Sequence, residues 1–76
     1  HNLRIYPIPA YEELTLEGLS GVTRIEIFDV TGVKLSAVHC DGESMIKIPV
    51  AQLSRGIYFI RLSSPNETIM RRFVKE

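Results

Sequence analysis

The sequence predicts an all-β chain, a sandwich or a barrel, from three observations. Seven short stretches rich in β-branched and aromatic residues recur at intervals of roughly 8 to 12 residues. Turn residues with separate physical causes divide them, and apolar residues alternate with polar ones inside several.

The first stretch, Leu3 to Tyr6, is ended by Pro7 and Pro9, which carry no amide donor. Glu13 to Glu17 follows, with Leu14 and Leu16 flanking Thr15 on one face. Ser20-Gly21 breaks it from Thr23 to Val30, where Ile25 and Ile27 flank Glu26. Asp29-Val30-Thr31-Gly32 has Asp at the first and Gly at the last position of a type I turn, so it joins this stretch to Val33 to His39 as a hairpin. Asp41-Gly42 reads as a tight loop closing another hairpin onto Ser44 to Ile48. Val50 to Leu53 reads as a single helical turn, because Gly56 follows too soon for a helix. Gly56 to Leu62 and Glu67 to Lys75 form the last hairpin around Pro65-Asn66. The expected core is Leu14, Leu16, Ile25, Ile27, Met45, Ile46, Ile48, Tyr58, Ile60 and Leu62.

Seventy-six residues, 45% hydrophobic and 24% charged, make one small soluble domain without room for a large internal cavity. Nine basic residues balance nine acidic ones, so the whole-chain field attracts neither nucleic acid nor an anionic membrane. The balance is uneven along the chain: residues 1 to 38 carry a net charge of −2 and residues 39 to 76 a net +2. A single cysteine, Cys40, excludes an internal disulfide and a Cys-based zinc site. No apolar run is long enough to span a bilayer, so no membrane insertion is expected. The start at His1, without Met, suggests a piece cut from something longer.

Catalytic and metal chemistry find little support. His39-Cys40-Asp41 has the residue types of a nucleophilic triad, yet neighbours on a strand point to opposite faces, so base and nucleophile cannot meet. A strand-end His beside a partly buried thiol is the simpler reading. His39, Asp41 and Glu43 lack the ligand-rich spacing of a calcium loop, and a solvated turn accounts for them. Asn66-Glu67-Thr68 matches the N-glycosylation acceptor, a pattern short enough to arise by chance. No enzyme activity and no cofactor are expected.

The last hairpin is the most informative part of the chain, because its second strand carries basic residues up to the final positions. Arg71 and Arg72 have two readings that do not exclude each other. They decorate the solvent side of an edge strand, where charge discourages unwanted pairing, or they serve recognition by strand addition.

Four segments in order carry a family resemblance. They are Leu3-Arg4-Ile5-Tyr6-Pro7-Ile8-Pro9-Ala10, Ile25-Glu26-Ile27-Phe28-Asp29-Val30-Thr31-Gly32, Leu53-Ser54-Arg55-Gly56-Ile57-Tyr58-Phe59-Ile60-Arg61-Leu62, and the basic-apolar end. Together they resemble the C-terminal sorting domain, type A, of the bacterial type IX secretion system. That family usually has Asn between the two prolines of the opening motif, where this chain has Ile8.

The resemblance implies a seven-stranded immunoglobulin-like antiparallel β-sandwich fused behind a secreted cargo. It implies a non-catalytic address that is recognised in the periplasm of a Gram-negative cell by the type IX outer-membrane translocon. A sortase of the system then commonly removes the tail, and the cargo reaches the cell surface or the medium. The expected recognition residues are Gly56, Tyr58, Arg71, Arg72, Phe73, Val74 and Lys75, with Ile69 to Lys75 presenting an unpaired edge. Edge strands also leave open a weak dimer. The competing reading is an immunoglobulin-like adhesion or carbohydrate-binding module, for which the chain has no Trp and only Tyr11 clearly in a loop.

Overall fold

The computed structural model describes residues 2 to 76, and within them the chain is all-β. Seven strands form: β1 (Arg4–Tyr6), β2 (Glu13–Glu17), β3 (Arg24–Phe28), β4 (Lys34–His39), β5 (Met45–Pro49), β6 (Gly56–Ser63) and β7 (Thr68–Lys75). Each lies within two residues of the stretch expected for it, because local alternation and turn chemistry set where a strand starts and stops.

All strand pairs are antiparallel, in two sheets ordered β1-β2-β5 and β4-β3-β6-β7. Labelled in immunoglobulin fashion these are the A-B-E and C′-C-F-G sheets, with the fourth strand beside the third. The architecture is therefore an immunoglobulin-like sandwich.

Its core is the interdigitated inner faces: Leu14 and Leu16 from β2, Ile48 from β5, Ile25 and Ile27 from β3, Tyr58, Ile60 and Leu62 from β6, and Phe73 from β7. Four further core residues, Ala10, Leu19, Cys40 and Val50, lie outside the strands, in connections tied down by backbone hydrogen bonds. Leu19 donates to the Ser44 carbonyl, Cys40 to Thr23 and Val50 to Glu12, at 3.2, 2.9 and 2.9 Å. Backbone groups in buried connections need such partners.

The β3–β4 hairpin closes as expected on Asp29. Gly32 donates its amide to the Asp29 carbonyl at 3.0 Å, and Asp29 Oδ1 accepts from the Thr31 amide and hydroxyl and from the Val33 amide. Leu53 donates to the Val50 carbonyl, making one turn and no helix.

Two expectations are corrected. Asp41-Gly42 does not close a hairpin, because β4 and β5 belong to different sheets and the loop carries the chain from one to the other. Met45 is not in the core: it is 48% exposed, since Ile46 and Ile48 share a parity that Met45 does not. Ile46 packs against the core only partly.

Candidate functional site

The β6–β7 hairpin holds the seven residues expected to matter, and the structure divides them between framework and surface. Gly56 begins β6 with φ of +153°, a backbone conformation that L side chains rarely adopt. Two residues on, the Tyr58 hydroxyl donates to the Ser54 carbonyl at 2.6 Å, pinning the crossing from β5 against the start of β6. This is the geometry of the tyrosine corner in immunoglobulin-like sandwiches. The Tyr58 ring stacks on Phe73 with centroids 5.5 Å apart and planes 23° from parallel. Phe73, at 1% exposure, therefore anchors β7 in the core.

Strand β7 is an edge of the four-stranded sheet, but its edge is not open along its whole length. The Val74 carbonyl accepts the Ala10 amide at 2.7 Å, and the Glu76 amide donates to the Ala10 carbonyl at 2.8 Å. That parallel bridge closes the final residues, so the expected unpaired stretch from Ile69 to Lys75 is shortened at its C-terminal end. Lys75 is buried, with Nζ donating to the Glu76 carbonyl at 2.9 Å, and it is not a presented charge.

Arg71 and Arg72 are both exposed but do not share a side of the sheet. Arg71 stands opposite Ile60, on the inward parity, and Arg72 opposite Phe59, on the outward one. Arg71 Nη1 donates to the Met70 carbonyl at 3.1 Å, a guanidinium folded along its own strand. An inward-parity charge on an edge strand is one of the devices that discourage edge pairing. By the alternation of the ladder, the backbone groups of Arg72 face outward like those of Val74, between the two carbonyls already taken.

On the outer face of the same sheet, Glu26 sits at the centre of three cations. Arg61 reaches its Oε1 through Nε and Nη2, both at 2.9 Å, while Lys34 Nζ and Arg24 Nε lie 3.4 Å from Oε2. Burial pushes the Glu26 carboxyl up, but the hydrogen bond and charge of Arg61, with Lys34 and Arg24, outweigh it and hold the pKa below the ordinary value. The Arg61 guanidinium also lies over the Phe28 ring at 4.8 Å. Between Phe28, Phe59, Met70 and the Asp29–Gly32 turn runs a groove of about 390 Å³. Sequence reasoning missed both Ala10 as a clamp and this outer face. The apolar run Ile57-Tyr58-Phe59-Ile60 was the available signal, because a strand with one solvent face should alternate.

The residues of His39-Cys40-Asp41 do not converge: His39 and Asp41 are exposed and Cys40 is buried. Burial, and then the negative charge of Glu43, push the Cys40 thiol up, which suppresses the thiolate. Among the described residues no three His, Cys, Asp or Glu side chains group so as to hold a metal ion, and no helix is long and apolar enough to cross a membrane.

What the fold and the hairpin define is a small immunoglobulin-like module whose last strand is pinned in the core yet lies at a sheet edge. Residues 4 to 76 match the family model of the secretion system C-terminal sorting domain, and the chain belongs to that family. It is a sorting domain of the type IX system, a C-terminal signal for secretion. No curated protein matches the chain.

Proposed function

We propose that the domain is the non-catalytic address of a precursor whose N-terminal part is the cargo, and that strand β7 is the surface the outer-membrane translocon reads. The observation that carries this is the partly closed edge of β7: Ala10 closes its C-terminal end, Arg71 covers the Met70 carbonyl, and the backbone of Arg72 faces outward between those two contacts. Gly56 and Tyr58 hold the partner strand, Phe73 and Lys75 hold β7 itself, and Val74 ties it to Ala10. The address is thus a folded surface, and Arg71 and Arg72 are its exposed charges. Transit is periplasmic, and a sortase of the system removes the tail upstream of β1.

Deleting Arg71 to Glu76 cannot test this, because it would take Phe73 out of the core and unfold the domain. Substitutions can. Residues 2 to 76 are fused behind a fluorescent passenger with a signal peptide and expressed with and without the secretion system. Wild-type fusion reaches the surface only with the system, and an Arg71→Glu, Arg72→Glu pair with unchanged melting leaves the passenger in the periplasm. Surface display without the system would overturn the export reading, whereas undiminished display of the double variant would overturn only the role of β7.

A further inference from the structure

We infer that the outer face of the β4-β3-β6-β7 sheet is a second docking surface, for an extended protein segment that carries an apolar side chain between two carboxylates. The cross-strand register lays out one row over this face: Lys34, Phe28, Phe59, Arg72. The adjacent row is Ala37, Glu26, Arg61, Met70. A solvent face normally alternates to polar residues. Here two half-buried phenylalanines stand side by side, with Met70 50% exposed and Val30 66% exposed at the rim of the groove.

Charge selects among occupants. This face carries four cations, Arg24, Lys34, Arg61 and Arg72, against the carboxylates of Glu26 and, at the groove rim, Asp29, a net surplus of two positive charges. Three of these cations share the single Glu26 carboxylate, and Arg72 has no ion pair among the described residues. A second copy docking face to face would set surplus against surplus, which is repulsive. An anionic bilayer would welcome the charge, but it binds through apolar groups that insert some ~5 to 10 Å below the headgroups. The two rings here lie within a groove, which receives a side chain instead of inserting one.

Spacing sharpens the ligand. Lys34 and Arg72 sit three strand spacings apart, about 14 Å, and an extended segment rises about 3.4 Å per residue, so carboxylates four residues apart reach both. Strand parity puts the residue midway between them on the same side, over Phe28 and Phe59. The pattern Glu-x-Phe-x-Glu therefore fits the row. Four strands about 4.8 Å apart and about 20 Å long offer on the order of 400 Å², about half of one side of a standard interface, so binding is weak and peptide-sized.

The test titrates the isotope-labelled 76-residue chain with a synthetic peptide bearing Glu-x-Phe-x-Glu and follows amide shifts. Controls carry Lys for both Glu, or Ser for Phe. The expected result is a dissociation constant of about 10 to 500 μM, weakening with salt, with shifts centred on Phe28, Phe59, Arg61 and Met70. Each control binds about tenfold more weakly or worse, and Met70→Thr and Arg72→Glu, both at exposed positions, weaken binding about fivefold or more while melting is unchanged. Equal binding of the Lys peptide, or shifts elsewhere on the molecule, would overturn the inference. So would a face perturbed by phosphatidylglycerol vesicles and not by the peptide, or one whose shifts depend on protein concentration alone. None of these measurements involves secretion, so their outcome stands apart from that of the export test.

Discussion

Replacing Phe73 by Ala separates anchor from contact at the residue where the two roles are most easily confused. The ring is 1% exposed and stacked on Tyr58. Removing a buried Phe side chain costs about 3 to 5 kcal/mol through lost transfer energy and the cavity left behind. A chain of this size carries roughly 5 kcal/mol of stability, so about one molecule in 5,000 is unfolded before the change. Losing about 4 kcal/mol leaves about 1, and roughly one molecule in six is then unfolded. With a urea slope of about 1 kcal/mol/M the midpoint falls from about 5 M to about 1 M. Equilibrium urea unfolding followed by far-ultraviolet circular dichroism measures it directly. A midpoint shift under about 1 M would refute the placement of Phe73 in the core. A second variant asks about function: Phe73→Leu keeps most of the volume, costs about 1.5 kcal/mol or less and stays folded. It should export normally in the passenger assay. Lost export from a folded Phe73→Leu domain would mean that the ring itself is read.

Tyr58→Phe removes the hydroxyl bonded to Ser54 and nothing else, so a loss of about 1 to 2 kcal/mol is expected in the same urea experiment. Gly18→Ala puts a Cβ 2.3 Å from the Asn2 carbonyl oxygen at a φ of +77°, and hydrogen exchange should speed up at Leu3 and Arg4 as the first residues are displaced. For pH, the Thr31 hydroxyl is the main cause that holds the Asp29 carboxyl below its ordinary value; burial opposes it, and the Val33, Thr31 and Gly32 amides add to it. The unfolded chain then binds the proton more tightly, so this stabilisation is present above the unfolded value of about 3.9 and disappears as pH falls through the lower folded one. Melting curves from pH 7 to pH 2 should therefore drop on the acid side, and Asp29→Asn should flatten that drop. The Cys40 thiol should react with a disulfide reagent only as fast as the domain opens, and a full-speed reaction in the folded state would contradict its burial.

The strands were legible because what makes them is local. Asp29 followed by Gly32 specifies its turn within four residues, and Leu14-Thr15-Leu16 declares a face within three. Sheet membership is decided at long range, which is why Asp41-Gly42 looked like a hairpin loop and is a crossing between sheets. Ala10, Leu19, Cys40 and Val50 carry no alternation because they lie between strands, so periodicity could not place them in the core. The site was half legible. The basic end of β7 was plain, but the opposite facings of Arg71 and Arg72 follow from their pairing with Ile60 and Phe59, a register set by a partner strand. Lys75 shows the limit of charge as a guide, since its four-carbon stem lets it be buried while Nζ finds a carbonyl.

If β7 is the strand the translocon reads, as proposed, its edge must be open to that receptor and closed to copies of itself, and the two demands meet at Arg72. Ala10 and Arg71 take the carbonyls on either side, which interrupts the row of free groups that a long flat pairing would use. Antiparallel pairing of two such edges would set arginine near arginine across the strands, which is destabilising, while an acidic strand in the same position gains an ion pair. On that proposal one residue discourages the wrong partner and favours the right one. The outer face extends the same selection sideways, because Arg72 also closes the row that begins with Lys34 and runs through the two phenylalanines. On this view the positive surplus of the second half of the chain is a filter on partners, and reversing it at Arg72 should relax both restraints at once: weaker capture of acidic segments, and dimers between the Arg72→Glu variant and the wild-type chain that sedimentation would detect.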